Sequence, residues 1–187
     1  MKKMIARKPT FTQAYIGFGS NLGNSIETLV QARKHLEETK GVSSLRSSGL
    51  YKTKPISSYP QDDYYNAVVE CSVEMNALDF YKHLQRIEKL LGKVDKPKEM
   101  PRVLDLDILL FGEQVHESKE LTIPHPRMLN RAFVLVPLLD LIPTGTVAFP
   151  TREGESMIQL RDQIKEVQKD SNQQVERVTG SIWDRQV

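Results

Sequence analysis

Residues 103–111 read VLDLDILLF and alternate without interruption: Leu104, Leu106, Ile108 and Leu110 fall on one side, Asp105 and Asp107 on the other. Period-two alternation over this length predicts a β-strand with one apolar and one polar face. Immediately upstream, residues 93–102 (KVDKPKEMPR) contain two prolines that keep the segment out of regular structure. Before that loop, Asn76 can cap a helix whose apolar stripe is Leu78, Tyr81, Leu84 and Leu91 and which Gly92 ends. Residues 64–75 alternate again, with Ala67, Val69, Cys71, Val73 and Met75 opposite Asn66, Val68, Glu70, Ser72 and Glu74. Farther upstream lie a long Pro- and Ser-rich loop and a weakly patterned strand over 43–52. A helix precedes them, with a capping-box-like start (Asn24, Glu27), apolar positions at Ile26, Leu29, Val30 and Leu36, and a stop at Gly41. The first strand begins at Thr12, with Ala14, Ile16 and Phe18 alternating. The order β-α-β-β-α-β predicts an α+β fold, a ferredoxin-like split βαβ antiparallel sheet with both helices on one face. By parity, Tyr64, Asn66, Asp105 and Asp107 all point to the other, open face.

Downstream, residues 121–124 (LTIP) suggest a short hairpin, and 133–139 a helix, followed by Pro143, that covers part of the open face. Met157, Leu160, Ile164 and Val167 stand at helical spacing. The last twenty residues are mostly polar, with Val175, Val178, Ile182 and Trp183 among the exceptions, and suggest no defined element beyond a tail. The expected organisation is a basic flexible tail over 1–11, one domain over 12–155, and a C-terminal helix and tail over 156–187 packed on or extending from it.

With 187 residues, 26 Lys and Arg and 24 Asp and Glu, the net charge is +2, which argues against a histone-like or generic nucleic-acid binder. No apolar run approaches the roughly 18–20 residues of a membrane span. The single cysteine, Cys71, can form neither an internal disulfide nor a structural zinc site, and its apolar strand face makes it a small buried hydrophobe. The basic start (Lys2, Lys3, Arg7, Lys8) is not followed by a signal-peptide core, so the cytoplasm is expected.

Asp105 and Asp107 carry the sharpest chemical signal. Two carboxylates two residues apart on a strand stand about 6–7 Å apart on one face. Hard oxygen ligands in that pattern suit Mg²⁺, which binds one or two carboxylates together with substrate phosphates. Aspartate is a poor strand residue, so placing it twice inside a β-forming run has a cost that a metal or ligand role would explain. The cations of the 93–102 loop would lie beside any phosphates held there, Arg102 foremost because a guanidinium grips phosphate bidentately. His125, between Pro124 and Pro126, and Arg131 stand on a rigid turn. The glycine-rich GFGSNLGN (17–24) fits neither phosphate-loop pattern, since it lacks Gly-Lys-Ser/Thr and Gly23 comes one place late. Gly19 would still let a ligand approach the backbone closely.

Taken together, AYIGFGSNLGN, YYNAVVE, PRVLDLDILLFG and LTIPHPRMLNRAFVLVPL resemble the 6-hydroxymethyl-7,8-dihydropterin pyrophosphokinase family over residues 12–150 or so. The resemblance implies transfer of the terminal diphosphate of ATP to the pterin hydroxymethyl group, giving AMP, in folate biosynthesis, with two Mg²⁺ ions as cofactors. Carried over by position, Asp105 and Asp107 would bind the metals, and Asp107, Arg102 and Lys93 would be the catalytic residues, Asp107 as acceptor of the hydroxyl proton. Lys93, Arg102, His125 and Arg131 would hold the phosphates, Gln85 and Glu88 would lie by the nucleotide, and Ile108 and Thr122 would form its base pocket. The pterin would be hydrogen-bonded by Asn66 and the backbone of Thr53 and its neighbours Lys54 and Ile56, beside Gly19, and stacked between Tyr64 and Phe133. The 12–155 unit would then be the pyrophosphokinase domain, a monomer acting on small molecules with no nucleic-acid or membrane partner.

The loop departs from the family pattern. Lys93 stands at the first of two expected arginines, Glu99 or Met100 near an expected tryptophan, and the loop is one residue shorter. Lysine keeps the charge and loses the fork, so closure over ATP is expected with weaker clamping or altered kinetics. At this length a fused dihydropteroate synthase is not expected. Two rival readings stay open on residues alone: a ferredoxin-like RNA reader, for which Tyr64 beside two carboxylates is poor equipment, and another two-metal phosphoryl enzyme such as a nucleotide hydrolase.

Overall fold

Two long alternating segments, residues 12–20 and 64–73, become the adjacent central strands of the sheet, because each has apolar side chains to bury on both faces. The structure, a computed structural model, describes residues 10–55, 60–94, 100–171 and 173–185. The expectations for residues 1–9, Ile56 and the middle of the basic loop (95–99) lie outside them. The elements in chain order are β1 (Thr12–Ser20), α1 (Ser25–Glu37), β2 (Val42–Ser47), β3 (Leu50–Thr53), β4 (Tyr64–Val73), α2 (Ala77–Leu90), β5 (Asp105–Phe111), β6 (His116–Glu117), β7 (Thr122–Ile123), α3 (Ala132–Leu141), β8 (Thr146–Thr151), β9 (Gly154–Gln159), α4 (Leu160–Ser171) and β10 (Val175–Val178).

The main sheet runs β10-β3-β4-β1-β5, with β2 pairing β4 beyond the end of β3, and all its pairings are antiparallel. The expected 43–52 strand is therefore two strands, β2 and β3, along one edge of β4, interrupted at Ser48–Gly49. There Ser48 Oγ, rather than a ladder carbonyl, accepts the Val68 N–H at 2.9 Å. Helices α1 and α2 cover one face through Leu29, Leu36, Phe80 and Leu84, packed on Ile16, Cys71, Leu106 and Ile108. Helices α3 and α4 cover part of the other, where Leu135, Leu138, Leu160 and Val167 meet Val68, Leu109 and Leu110. Each such side chain contributes about 1.5–3 kcal/mol by leaving water.

Several local expectations are corrected. Leu110 does not share a face with Ile108: Ile16 pairs with Ile108 and Tyr15 with Leu110, so Leu109 is an extra, bulged residue. One inserted residue reverses the parity beyond it, sending Leu110 to the α3 side and Phe111 to the first core. Leu78 is exposed, and Phe80 takes the core position in α2; the Asn76 cap does form, Oδ1 accepting the Asp79 N–H at 2.9 Å. Asn24 makes no side-chain cap. Met157 is exposed on β9, which forms a hairpin with β8, and the helix starts only at Leu160; the boundary expected at 155 falls inside that strand. Within the C-terminal tail, residues 173–185 take defined places: β10 joins the sheet on β3, and Trp183 is buried in the first core. Among the described residues, no helix is long and apolar enough to cross a membrane.

Cys71 is 1% exposed, and burial pushes its thiol up to about 12. Since the thiolate is the reactive form, the native protein at pH 8 is expected to resist a disulfide thiol reagent for hours. Denaturation in guanidinium should release one thiol per chain; stoichiometric labelling of the native protein within minutes would contradict this burial.

Candidate active site

The strand register sets the floor of a cleft on the α3 side of the sheet. Asn66 on β4, Gly19 on β1 and Asp105 on β5 pair in one row, and Gly17 pairs with Asp107 in the next. A Cβ at Gly19 would meet Asn66 Oδ1 at 3.5 Å, an ordinary contact. Packing therefore does not demand glycine there, and its effect is to leave the floor between Asn66 and Asp105 open. The cleft has a volume of about 680 Å³, and Gly19, Thr53, Tyr64, Asn66, Lys93, Arg102, Asp105, Asp107, Arg131 and Phe133 all line it. The parity reading of Tyr64, Asn66 and the two aspartates is thus borne out.

The two carboxylates have different surroundings. Asp105, with its side chain 38% exposed, accepts from Lys93 Nζ at 2.7 Å. Lys93 also bonds Glu88 Oε1 at 2.7 Å, and that same oxygen accepts the Leu106 N–H at 2.7 Å. Burial alone would lower the Lys93 ammonium, but its two carboxylate bonds outweigh this and hold it above its usual range. Burial raises Glu88, and Lys93 and the Leu106 N–H offset part of that. Asp107, 50% exposed, faces His125 Nε2 at 3.8 Å and Arg131 Nη1 at 3.9 Å. Burial lowers His125, with Asp107 opposing and Arg131 and Arg127 reinforcing the shift.

Around this pair, among the described residues, Lys93, Arg102, Arg127 and Arg131 bring four cationic side chains against Asp105, Asp107 and the Glu88 bonded to Lys93, a balance suited to a polyphosphate. The Arg102 backbone is gripped on both sides by Asn21: its N–H donates to Asn21 Oδ1 at 2.8 Å, and its carbonyl accepts from Asn21 N at 3.0 Å. The amide of Asn21 donates to Gln61 Oε1 at 2.8 Å and to the Asp62 carbonyl at 3.1 Å. One buried side chain thus ties the end of the basic loop to the segment leading into Tyr64. Asn66 Nδ2 donates to Thr53 Oγ1 at 2.9 Å. Tyr64 is raised by burial and by Asp105, against Arg102. The Arg131 guanidinium lies over the Phe133 ring, 5.4 Å from its centroid.

Other candidates stand apart from the lining. Lys54 is exposed and paired with Asp63 at 3.1 Å. Gln85 donates to Tyr81 Oη at 2.9 Å, Thr122 is exposed on β7, and the Ile108 side chain packs in the first core because it falls one parity step from the aspartates. Arg127, Asn130, Leu109 and Val134 line the cleft and were not singled out; the motif HPRMLNRAF contained the first two of them, but nothing in its spacing said which side chains turn inward. A second cavity of about 700 Å³, where Arg33, Arg46 and Arg177 face Glu37, Asp140 and Asp184, contains none of the candidates.

Residues 15–143 match the family model described as 7,8-dihydro-6-hydroxymethylpterin-pyrophosphokinase. The chain is 41% identical over 128 residues to the 2-amino-4-hydroxy-6-hydroxymethyldihydropteridine pyrophosphokinase of Haemophilus influenzae, covering 68% of this chain and 80% of that one. It is 42% identical over 136 residues to the folic acid synthesis protein fol1 of Pneumocystis carinii, covering 73% of this chain but only 18% of that longer one. A Plasmodium falciparum HPPK-DHPS crystal structure with pterin and p-hydroxybenzoate superposes with a TM-score of 0.63 at 15% identity, covering 89% of this chain and 46% of that one. At that identity the likeness speaks for the fold alone.

Proposed function

The chain belongs to the 7,8-dihydro-6-hydroxymethylpterin-pyrophosphokinase family, and on that premise we propose that this cleft transfers the pyrophosphoryl group of ATP to the hydroxymethyl group of 6-hydroxymethyl-7,8-dihydropterin, a step of folate biosynthesis. The observation that carries the reading is the convergence of Asp105, Asp107, Asn66, Tyr64 and Phe133 on one cleft with four cationic side chains among the described residues.

The donor set fits two Mg²⁺ ions: Asp105 and Asp107 present partly exposed carboxylates from neighbouring positions of one strand face, and the rest of each shell would be phosphate oxygens and water. When bound, the ions neutralise phosphate charge and polarise the β-phosphorus. Arg102, Arg131, His125 and Lys93 hold and orient the phosphates, the guanidiniums as forks and Lys93 as a point charge. Gln85, Glu88 and Thr122, outside the cleft lining, are assigned to the adenosine end by the resemblance alone, and Ile108, whose side chain is in the first core, can take part there only through its backbone. The pterin ring lies between Tyr64 and Phe133 at the end where Asn66 and the Thr53 backbone meet its hydrogen-bonding edge. Because Asn66 Nδ2 is engaged with Thr53, its Oδ1 is left as an acceptor for a pterin N–H. The pterin hydroxymethyl oxygen bonds to the β-phosphorus as the bond from that phosphorus to the bridging oxygen breaks. AMP leaves with the electron pair, and the hydroxyl proton passes to Asp107.

The strand order, with β2 and β3 acting as one strand position, supports the ferredoxin-like split βαβ class. We place the working unit in the cytoplasm as a monomer acting on small molecules, with a catalytic domain that starts at residue 12 and runs past the expected boundary at 155 to include all of β9; the net charge of +2 supports the absence of a nucleic-acid partner. The test is product analysis with ATP, Mg²⁺ and the pterin, omitting each in turn. AMP formed only with all three is the expected result. ADP, or AMP without pterin, would replace this function with nucleotide hydrolysis.

A further inference from the structure

Arg131 occupies the N-cap position of α3. Arginine has no acceptor, so it cannot satisfy the free N–H groups of the first turn as Ser, Thr, Asp or Asn would. The acceptor comes from 41 residues away: Gln173 Oε1 takes the Ala132 N–H at 3.0 Å. Nε2 of the same side chain donates to the Asn130 carbonyl at 3.3 Å and to Ser171 Oγ at 2.8 Å. Gln163 Nε2 donates to the Leu129 carbonyl at 3.0 Å. Two glutamines therefore hold three backbone groups within residues 129–132, the stretch that delivers Asn130, Arg131 and Phe133 to the cleft.

Both glutamines are themselves anchored. Gln163 stands on α4, whose Leu160 and Val167 are buried with Leu135 and Leu138 of α3. Gln173 stands on the link from α4 to β10, which the main sheet fixes through its pairing with β3. Both also lie beyond residue 143, where the family match ends. We infer that α4 (160–171) and Gln173 are a positioning element of the cleft, with Gln163 and Gln173 as positioning residues that set where Arg131 and Phe133 stand. The inference rests on the reading of the cleft as the active site. The functional consequence follows from geometry: a guanidinium fork holds phosphate only in register, and displacement of about 1 Å can cost up to a hundredfold in rate.

The experiment uses the full chain with Gln163→Ala, Gln173→Ala, the double variant, Gln173→Glu and, as reference, Arg131→Ala. Affinity for Mg-ATP and for the pterin is measured separately by calorimetry, with kcat and KM at 25 °C and circular dichroism for folding. The expected result is about a tenfold loss of ATP affinity in the folded double variant, a smaller loss in each single variant, and weaker pterin binding. Gln173→Glu, which keeps an acceptor for the Ala132 N–H, should retain more affinity than Gln173→Ala. If the double variant does not fold, the single variants and Gln173→Glu carry the same comparison. A lowered melting point with wild-type affinities would reduce the glutamines to a structural cap and overturn the inference while leaving the cleft reading intact. Wild-type ATP affinity in Arg131→Ala would overturn the cleft reading and the inference with it.

Discussion

Asp105→Ala and Asp107→Ala are each expected to lower turnover by about a thousandfold or more while the protein remains folded. The loss follows from their proposed role: each removes a hard oxygen ligand and a local negative charge from a site whose work is charge compensation on a polyphosphate. The fold should survive because neither side chain is in a core. Removing Asp105 frees Lys93 from one of two bonds and leaves it held by Glu88. Removing Asp107 leaves His125 and Arg131 without a half-exposed neighbour at 3.8 and 3.9 Å, a pairing that solvent already screens. Steady-state AMP production and thermal melting are the two measurements. Wild-type turnover in either variant with a normal melting curve would remove the carboxylate pair from the mechanism.

Trp183→Ala is expected to destabilise the fold by about 3–5 kcal/mol, the usual cost of deleting a buried large aromatic. Trp183 is 2% exposed and meets the Phe18 ring edge-on at 6.0 Å. Its Nε1 donates to the Ser48 carbonyl at 2.9 Å, and the Arg33 guanidinium stacks over its ring at 4.5 Å. Arg33 also donates to the backbone carbonyls of Trp183 and Arg185 at 2.8 and 2.9 Å. The alanine variant keeps those two bonds and loses the rest, leaving a cavity between α1 and the sheet. At about 2–4 °C per kcal/mol for a chain of this size, the melting temperature should fall by roughly 6–20 °C. Guanidinium titration followed by circular dichroism measures the change; a loss below about 1 kcal/mol would mean that the C-terminal segment is not part of the cooperative unit.

The two predictions differ in how far the sequence alone could have led to them. The aspartate pair is legible because parity is a local property. Two residues apart on a strand is one face, whatever the strand packs against, and the same rule placed Tyr64 and Asn66 beside them. The elements that position this site were legible for the same reason: residues 64–73 and 105–111 alternate, and Asn76 supplies a cap whose geometry is decided within four residues. Gly19, Arg102, His125 and Arg131 were legible one by one from their chemistry, but as members of one site only through the resemblance, since they act from separate segments.

What failed was the inference that needed a partner. The bulge at Leu109 exists because β5 is matched against β1, and nothing within VLDLDILLF marks where an extra residue will be accommodated. Met157 shows helical spacing with Leu160, but pairing with Ala148 holds it in a strand. Trp183 sits in a polar stretch with no period, and becomes a core residue because β10 docks on β3 and returns the chain to α1. Ile108 and Asp107 are adjacent in sequence, and the pleat sends one to the core and the other to the cleft. By itself, then, the amino-acid sequence determined the order of the principal elements and the composition of the cleft floor, because hydrophobic period and side-chain parity are set between near neighbours. The tertiary structure alone decided the bulge, the burial of Trp183 and the bracing of α3 by Gln163 and Gln173, because those depend on contacts between segments tens to more than a hundred residues apart.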